Sequence, residues 1–193
     1  MSRRPSALAL LAIASVVLGG CVTLLPRQAP AMLYRFGAAS PVETTGRGPG
    51  EALVISTALP AAAAGDMILT SSGRQMAYVG NARWVSPASE LFQADVVRGL
   101  APVSPPGGGR LKIVLDLFEV ERGTPSAPRV RLRARMAFWP GHGETPVLRD
   151  LDIGRDAGSG AMVDIVAAYD AAADAVIRSA RDLVTQAPAA PHN

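Results

Sequence analysis

Cysteine is almost absent from this chain: Cys21 is the only one among 193 residues. No disulfide can close within it, so any folded domain must be held by a hydrophobic core. Lysine is equally scarce. Lys112 stands alone, and the remaining basic residues are arginines. The two histidines, His142 and His192, and the lone cysteine offer no spaced ligand cluster, which argues against a metal centre. There is no Gly-x-Ser-x-Gly turn, and His142 in Pro140-Gly141-His142-Gly143-Glu144 has neither the nucleophile nor the orienting acid that a general base needs. Gly46-Arg47-Gly48-Pro49-Gly50 and Gly107-Gly108-Gly109 lack the Lys-Ser/Thr ending and the strand and helix that frame a phosphate loop. We therefore expect no enzymatic activity, no metal and no cofactor.

Long apolar runs are missing as well, with one exception at the start. Arg3 and Arg4 precede Ala7 to Val17, an apolar stretch of about 11 residues, which is signal-peptide length and too short to span a bilayer. Leu18-Gly19-Gly20-Cys21 follows at once. This run resembles the bacterial lipobox, which implies lipidation of the Cys21 thiol and cleavage between Gly20 and Cys21. Two or three acyl chains would then hold the mature domain stably on a membrane. With Arg3 and Arg4 removed, the formal charge of +3 drops to about +1, so net charge gives no support to nucleic-acid binding. No second apolar run suits a transmembrane helix.

The expected organisation is a signal at 1–20, a lipidated tether at 21–30 with Pro26 and Pro30, one domain at 31–186, and a disordered tail at 187–193. Strands are expected at 31–37, 52–57, 66–70 and 75–79, the last two joined by a Ser71-Ser72-Gly73 turn. Leu59 to Gly65 is ambiguous. Ser86 suits an N-cap and Pro87 a first helical residue, for a helix running to Leu100 with Leu91, Phe92, Val96 and Leu100 on one face. Arg110 to Glu121 is the strongest strand. Leu111, Ile113, Leu115 and Leu117 fall on one face and Val114, Phe118 and Val120 on the other, as in a central strand covered on both sides. Arg129 to Trp139 alternates apolar residues with Arg129, Arg131, Arg133 and Arg135. A short strand at 146–153 and a long amphipathic helix at 159–186 follow, the helix carrying an Asp174–Arg178 pair. The order suggests a mixed sheet with helices packed on it.

The lipobox, an early Tyr34 strand, Arg83-Trp84 directly before a helix, and a paired-strand segment ahead of an Ala-rich C-terminal helix together resemble the ABC-type transport auxiliary lipoprotein family. The likeness spans roughly Met32 to Val184. Of the family's Arg-Trp-Ala-Glu-Pro-Leu-like run, this chain keeps Arg83, Trp84 and Pro87, and Ala63-Ala64-Gly65 precede Asp66 where Tyr-Leu-Asp is usual. The resemblance implies an α/β domain of anticodon-binding-like, three-layer architecture. It also implies work beside an ABC ATPase, a permease and a mammalian-cell-entry (MCE) domain protein in moving lipids or other hydrophobic molecules across the envelope. Val22, in place of the Asp that favours inner-membrane retention in enteric bacteria, favours the outer membrane. The alternative is a structural or assembly lipoprotein binding envelope proteins or peptidoglycan, and a lipid-enclosing carrier is a third reading.

Two surface features are candidates for docking a partner. With the 121–129 turn centred near Pro125, Glu121 faces Arg129 and Glu119 faces Arg131. Arg133 and Arg135 then stand opposite Leu117 and Leu115, without carboxylate partners. Arg83 and Trp84 form the other, either as a core tryptophan at a helix start or as an exposed aromatic anchor.

Overall fold

The structure is a computed structural model and describes residues 31–37, 52–103, 105, 107–123, 127–141 and 145–186. All of them belong to one compact unit that begins at Ala31. The signal, Cys21, the tether, His142, His192 and the C-terminal tail lie outside the described residues. The elements in chain order are β1 (Met32–Tyr34), β2 (Leu53–Ala58), β3 (Met67–Ser72), β4 (Gln75–Trp84), α1 (Ala88–Leu100), β5 (Gly109–Glu121), β6 (Arg129–Pro140), β7 (Val147–Asp156) and α2 (Met162–Gln186). They build a mixed α/β domain with one seven-stranded sheet and two helices packed on it. The sheet order is β1-β4-β3-β5-β6-β7, with β2 also paired to β5.

β5 is the central strand. β6 runs antiparallel along its whole length on one edge. The other edge is shared: β2 pairs parallel with Gly109–Val114, and β3 pairs parallel with Val120 and Glu121. β2 and β3 thus act as one interrupted strand. Residues 59–66 leave the sheet between them, where Pro60 could donate no ladder hydrogen bond. The excursion turns back through Ala63 N–H donating to Pro60 O at 2.9 Å, and it buries Ala63.

That excursion also starts α1. Ser86 is not the N-cap. Pro87 takes the position with extended ψ of 134° and no side-chain cap. The first helical amides donate instead to the excursion's backbone, Ala88 N–H to Gly65 O at 2.9 Å and Ser89 N–H to Ala64 O at 3.2 Å. A long-range backbone contact thus satisfies the orphan donors that a local side chain was expected to meet. α2 begins at Met162, with Ser159 Oγ accepting from Ala161 N–H just ahead of it. The Asp174–Arg178 pair is not among the ion pairs of the described residues.

The two faces expected for β5 are corrected by a bulge. Leu115 pairs with Ala134 and Leu117 with Arg133, so Asp116 is an extra residue on β5. Side chains alternate with period two, and one inserted residue reverses which of them face the core. Leu111, Ile113 and Leu115 are buried before it, and Phe118 and Val120 after it. β5 therefore has one apolar face, which changes parity at Asp116. β2 likewise has one covered face, since Val54 and Ser56 are exposed.

Both helices lie on that single covered face and touch one another. Helix and sheet therefore stack as two layers rather than the expected three, because the bulge supplies only one continuous apolar surface. Phe36, Trp84, Phe92, Phe118 and Tyr169 interlock at the centre, with Trp84 edge-on to Phe36 at 4.9 Å and to Tyr169 at 5.1 Å. Each large buried side chain of this kind contributes about 1.5–3 kcal/mol. At Gly99 the helices approach so closely that a Cβ would collide with Ile177 Cγ2.

Candidate functional site

Arg83 and Trp84 have different fates. Trp84 is 2% exposed and sits in the aromatic centre, so it meets no partner while the domain is folded. Arg83 stays at the surface and pairs with Asp66 at 3.1 Å. Asp66 also accepts Trp84 N–H on its carbonyl at 2.7 Å. Asp66, Arg83 and Trp84 thus fasten the 59–66 excursion to the end of β4, which sets where α1 starts. The tryptophan is withdrawn as a docking residue because the core needs its ring.

The arginine stripe lies on the sheet face away from the helices. Its register follows the expectation at Glu121–Arg129, Glu119–Arg131 and Leu117–Arg133, and departs from it at the bulge, where Arg135 pairs with Val114. Arg133 and Arg135 do have carboxylate partners. Arg135 forks onto Asp116, with Nε to Oδ2 at 2.6 Å and Nη2 to Oδ1 at 2.7 Å. Arg133 donates from Nε and Nη2 to Asp152 Oδ2 at 3.1 and 2.9 Å, and Arg131 Nη2 reaches Asp152 Oδ1 at 3.3 Å. Arg131 also pairs with Glu121 and Arg129 with Asp156, both at 3.7 Å. The Arg135 guanidinium holds the Asp116 carboxyl below the usual carboxylate range, and Arg133 with Arg131 does the same to Asp152. The stripe therefore neutralises itself, which removes the free cations on which its docking role rested.

The sequence reading missed Asp116 and Asp152. Asp116 is the bulged residue itself, and no local pattern announces it. Asp152 was visible only as part of an alternation, Leu148, Asp150 and Asp152, that matches the period of β6. Glu119, expected to meet Arg131, is buried and accepts Ser71 Oγ–H at 2.6 Å across the β3 side.

At the other end of the same face lies an open groove of about 630 Å³, lined by Lys112, Val114, Ala137, Trp139 and Leu148 among others. Arg110 stacks 4.4 Å from the Trp139 ring centroid. A second cleft of about 610 Å³ lies between the helices, where Asp95, Arg98, Asp170, Asp174 and Arg181 converge. There Gly37 N–H donates to Asp170 Oδ1 at 2.6 Å, while burial pushes the Asp170 carboxyl up, opposed by that bond and aided by Asp174. Among the described residues no cluster of His, Cys, Asp or Glu is placed to hold a metal ion. No described helix is long and apolar enough to cross a membrane.

With this geometry in hand, the chain superposes on a crystal structure of a Xanthomonas campestris protein that carries the family model DUF330. The TM-score is 0.63 and the identity 16%, over 80% of this chain and 96% of that one. The fold is shared. A second crystal structure, of an uncharacterized protein, matches with a TM-score of 0.60 and 13% identity over 82% of this chain and 99% of that one. No family model matches the sequence, and no curated protein matches it. At such identities the likeness extends to the fold, one mixed sheet with two helices on it.

Proposed function

We propose that this chain is a lipid-anchored envelope lipoprotein that serves, without catalysis of its own, as the auxiliary component of an MCE-type ABC transport system for lipids or other hydrophobic molecules. The supporting observation is a coincidence. A lipobox-like Leu18-Gly19-Gly20-Cys21 stands ahead of a domain whose fold is shared, almost end to end, with a DUF330 protein. The finer likeness, to the paraquat-inducible intermembrane transport lipoprotein, belongs to the same reading. In it, Cys21 carries the lipid, the domain faces the periplasm from the outer membrane, and an MCE protein, a permease and an ATPase are its partners. The filled aromatic core between helices and sheet weighs against a carrier that encloses lipid itself.

The test is affinity capture of the lipidated protein from gently solubilised envelopes, with Cys21→Ser as control. Recovery of an MCE protein with its permease and ATPase is expected. Recovery of outer-membrane or peptidoglycan-linked partners alone would replace this reading with the structural or assembly role.

A further inference from the structure

The groove end of the open sheet face differs from the arginine stripe beside it. Val54 on β2 and Leu148 on β7, the strands that flank the β5–β6 pair here, are large aliphatic side chains 59% and 71% exposed. Between them lie Val114, Ala137 and Trp139, all half-buried. Cross-strand register places Val54 beside Arg110 and Trp139, and Ser56 beside Lys112, Ala137 and Leu148. Arg110 and Lys112 have no carboxylate within ion-pair distance among the described residues. The face thus joins two unneutralised cations to an exposed apolar surface with a tryptophan at its edge.

We propose that this patch rests on an anionic bilayer surface. Arg110 and Lys112 meet lipid phosphates, while Leu148, Val54 and the edge of Trp139 enter the boundary between headgroups and acyl chains. Charge complementarity selects this occupant: among the described residues the arginines of the stripe are each paired with a carboxylate, and on this face the cations without such a partner lie at the groove end. Tryptophan and the aliphatic stems of Lys and Arg are suited to that boundary, apolar along the body and polar at the tip. Size points the same way. Four strands and three rungs measure about 14 by 14 Å, roughly 200 Å², against the ~800 Å² that each partner of a stable protein pair buries. A contact this small binds weakly but measurably by itself, and is occupied more fully when an anchor holds the domain near the membrane. The proposal rests on the lipoprotein reading in that one respect. Asp150, exposed beside Arg135 at the border of the patch, opposes the contact.

The test uses the chain from residue 21 with Cys21→Ser, so that no acyl group contributes; the described unit begins only at Ala31. Binding is measured by co-sedimentation with phosphatidylcholine vesicles, with and without phosphatidylglycerol. A basic residue at an anionic surface contributes about five-fold to partitioning. The Arg110→Gln/Lys112→Gln variant should therefore lose about 25-fold on anionic vesicles, and Val54→Ser/Leu148→Ser should weaken binding further. Asp150→Asn should strengthen it several-fold, and the charge-balanced Arg133→Gln/Asp152→Asn pair should leave it unchanged. All these side chains are exposed or at the sheet surface, so unchanged unfolding midpoints check that the variants fold. Equal binding to neutral vesicles, no binding to either, or indifference to Arg110→Gln/Lys112→Gln overturns the proposal. Capture of polyglutamate in place of vesicles also overturns it and reassigns the patch to an acidic protein. A failed capture of transporter subunits would sink the transport role while leaving the vesicle result standing.

Discussion

On β6, Val130, Leu132, Ala134, Met136 and Phe138 lie buried under the helices, while Arg129, Arg131, Arg133 and Arg135 alternate with them on the opposite face. The same backbone thus carries two surfaces with different physics. The covered face is held by apolar burial, which salt does not screen and which any lost volume weakens. The open face is held by ion pairs between exposed side chains, which contribute little and are screened. The fold thus depends on one face and leaves the other free to acquire a surface role. It does so at the groove end, where the ion pairing stops.

Deletion of Asp116 should disturb the covered face most. Removing the bulged residue reverses the parity of β5 beyond Leu115, sending Phe118 and Val120 to solvent and Glu119 into the aromatic centre. We expect no cooperative unfolding transition by circular dichroism, whereas Asp116→Ala, which keeps the bulge, should retain one. Next in size is Trp84→Ala. It empties the position between Phe36 and Tyr169 and should cost about 3–5 kcal/mol in urea unfolding. Gly99→Ala forces a methyl group against Ile177 where the helices meet, and about 1–3 kcal/mol should be lost through overpacking. A silent Gly99→Ala would mean that the helices do not meet tightly at Gly99 and Ile177.

The smallest effect belongs to the open face. Asp152 has its carboxyl held down by Arg133 and Arg131. A depressed folded pKa gives stability that is present above the unfolded value, near 4, and is lost as pH falls through the lower folded value. The difference between the native chain and Asp152→Asn should therefore be small, constant from neutral pH down to about pH 5, and gone in strong acid. It should also shrink in about 1 M salt. A large, salt-insensitive loss would mean that the open face shares in holding the fold.

Much of the architecture was legible in advance. The alternation of Arg129 to Trp139, the amphipathic period of α2 and the Pro87 break before α1 are local patterns, and local patterns fix the presence and type of an element. The hairpin register from Glu121–Arg129 to Leu117–Arg133 followed from counting back from the turn. The bulge did not follow. Leu115, Asp116 and Leu117 read as ordinary alternation until β6 is laid alongside, and that misreading gave β5 a second apolar face that it does not have.

The sequence alone therefore determined which strands and helices form, that Cys21 stands behind a signal-like run, and that two-residue alternation sets arginines opposite a core; the bounds moved, with Ser71 and Ser72 in β3 rather than in the turn and β4 reaching Trp84 rather than 79. Folding decided that Trp84 is internal, that Asp116 and Asp152 neutralise Arg135 and Arg133, that the carbonyls of Ala64 and Gly65 start α1, and that Arg110 and Lys112 have no carboxylate partner among the described residues. The reason is physical. Periodicity is a property of neighbours along the chain, whereas charge pairing, capping across loops and the parity of a bulged strand depend on residues that only folding brings together.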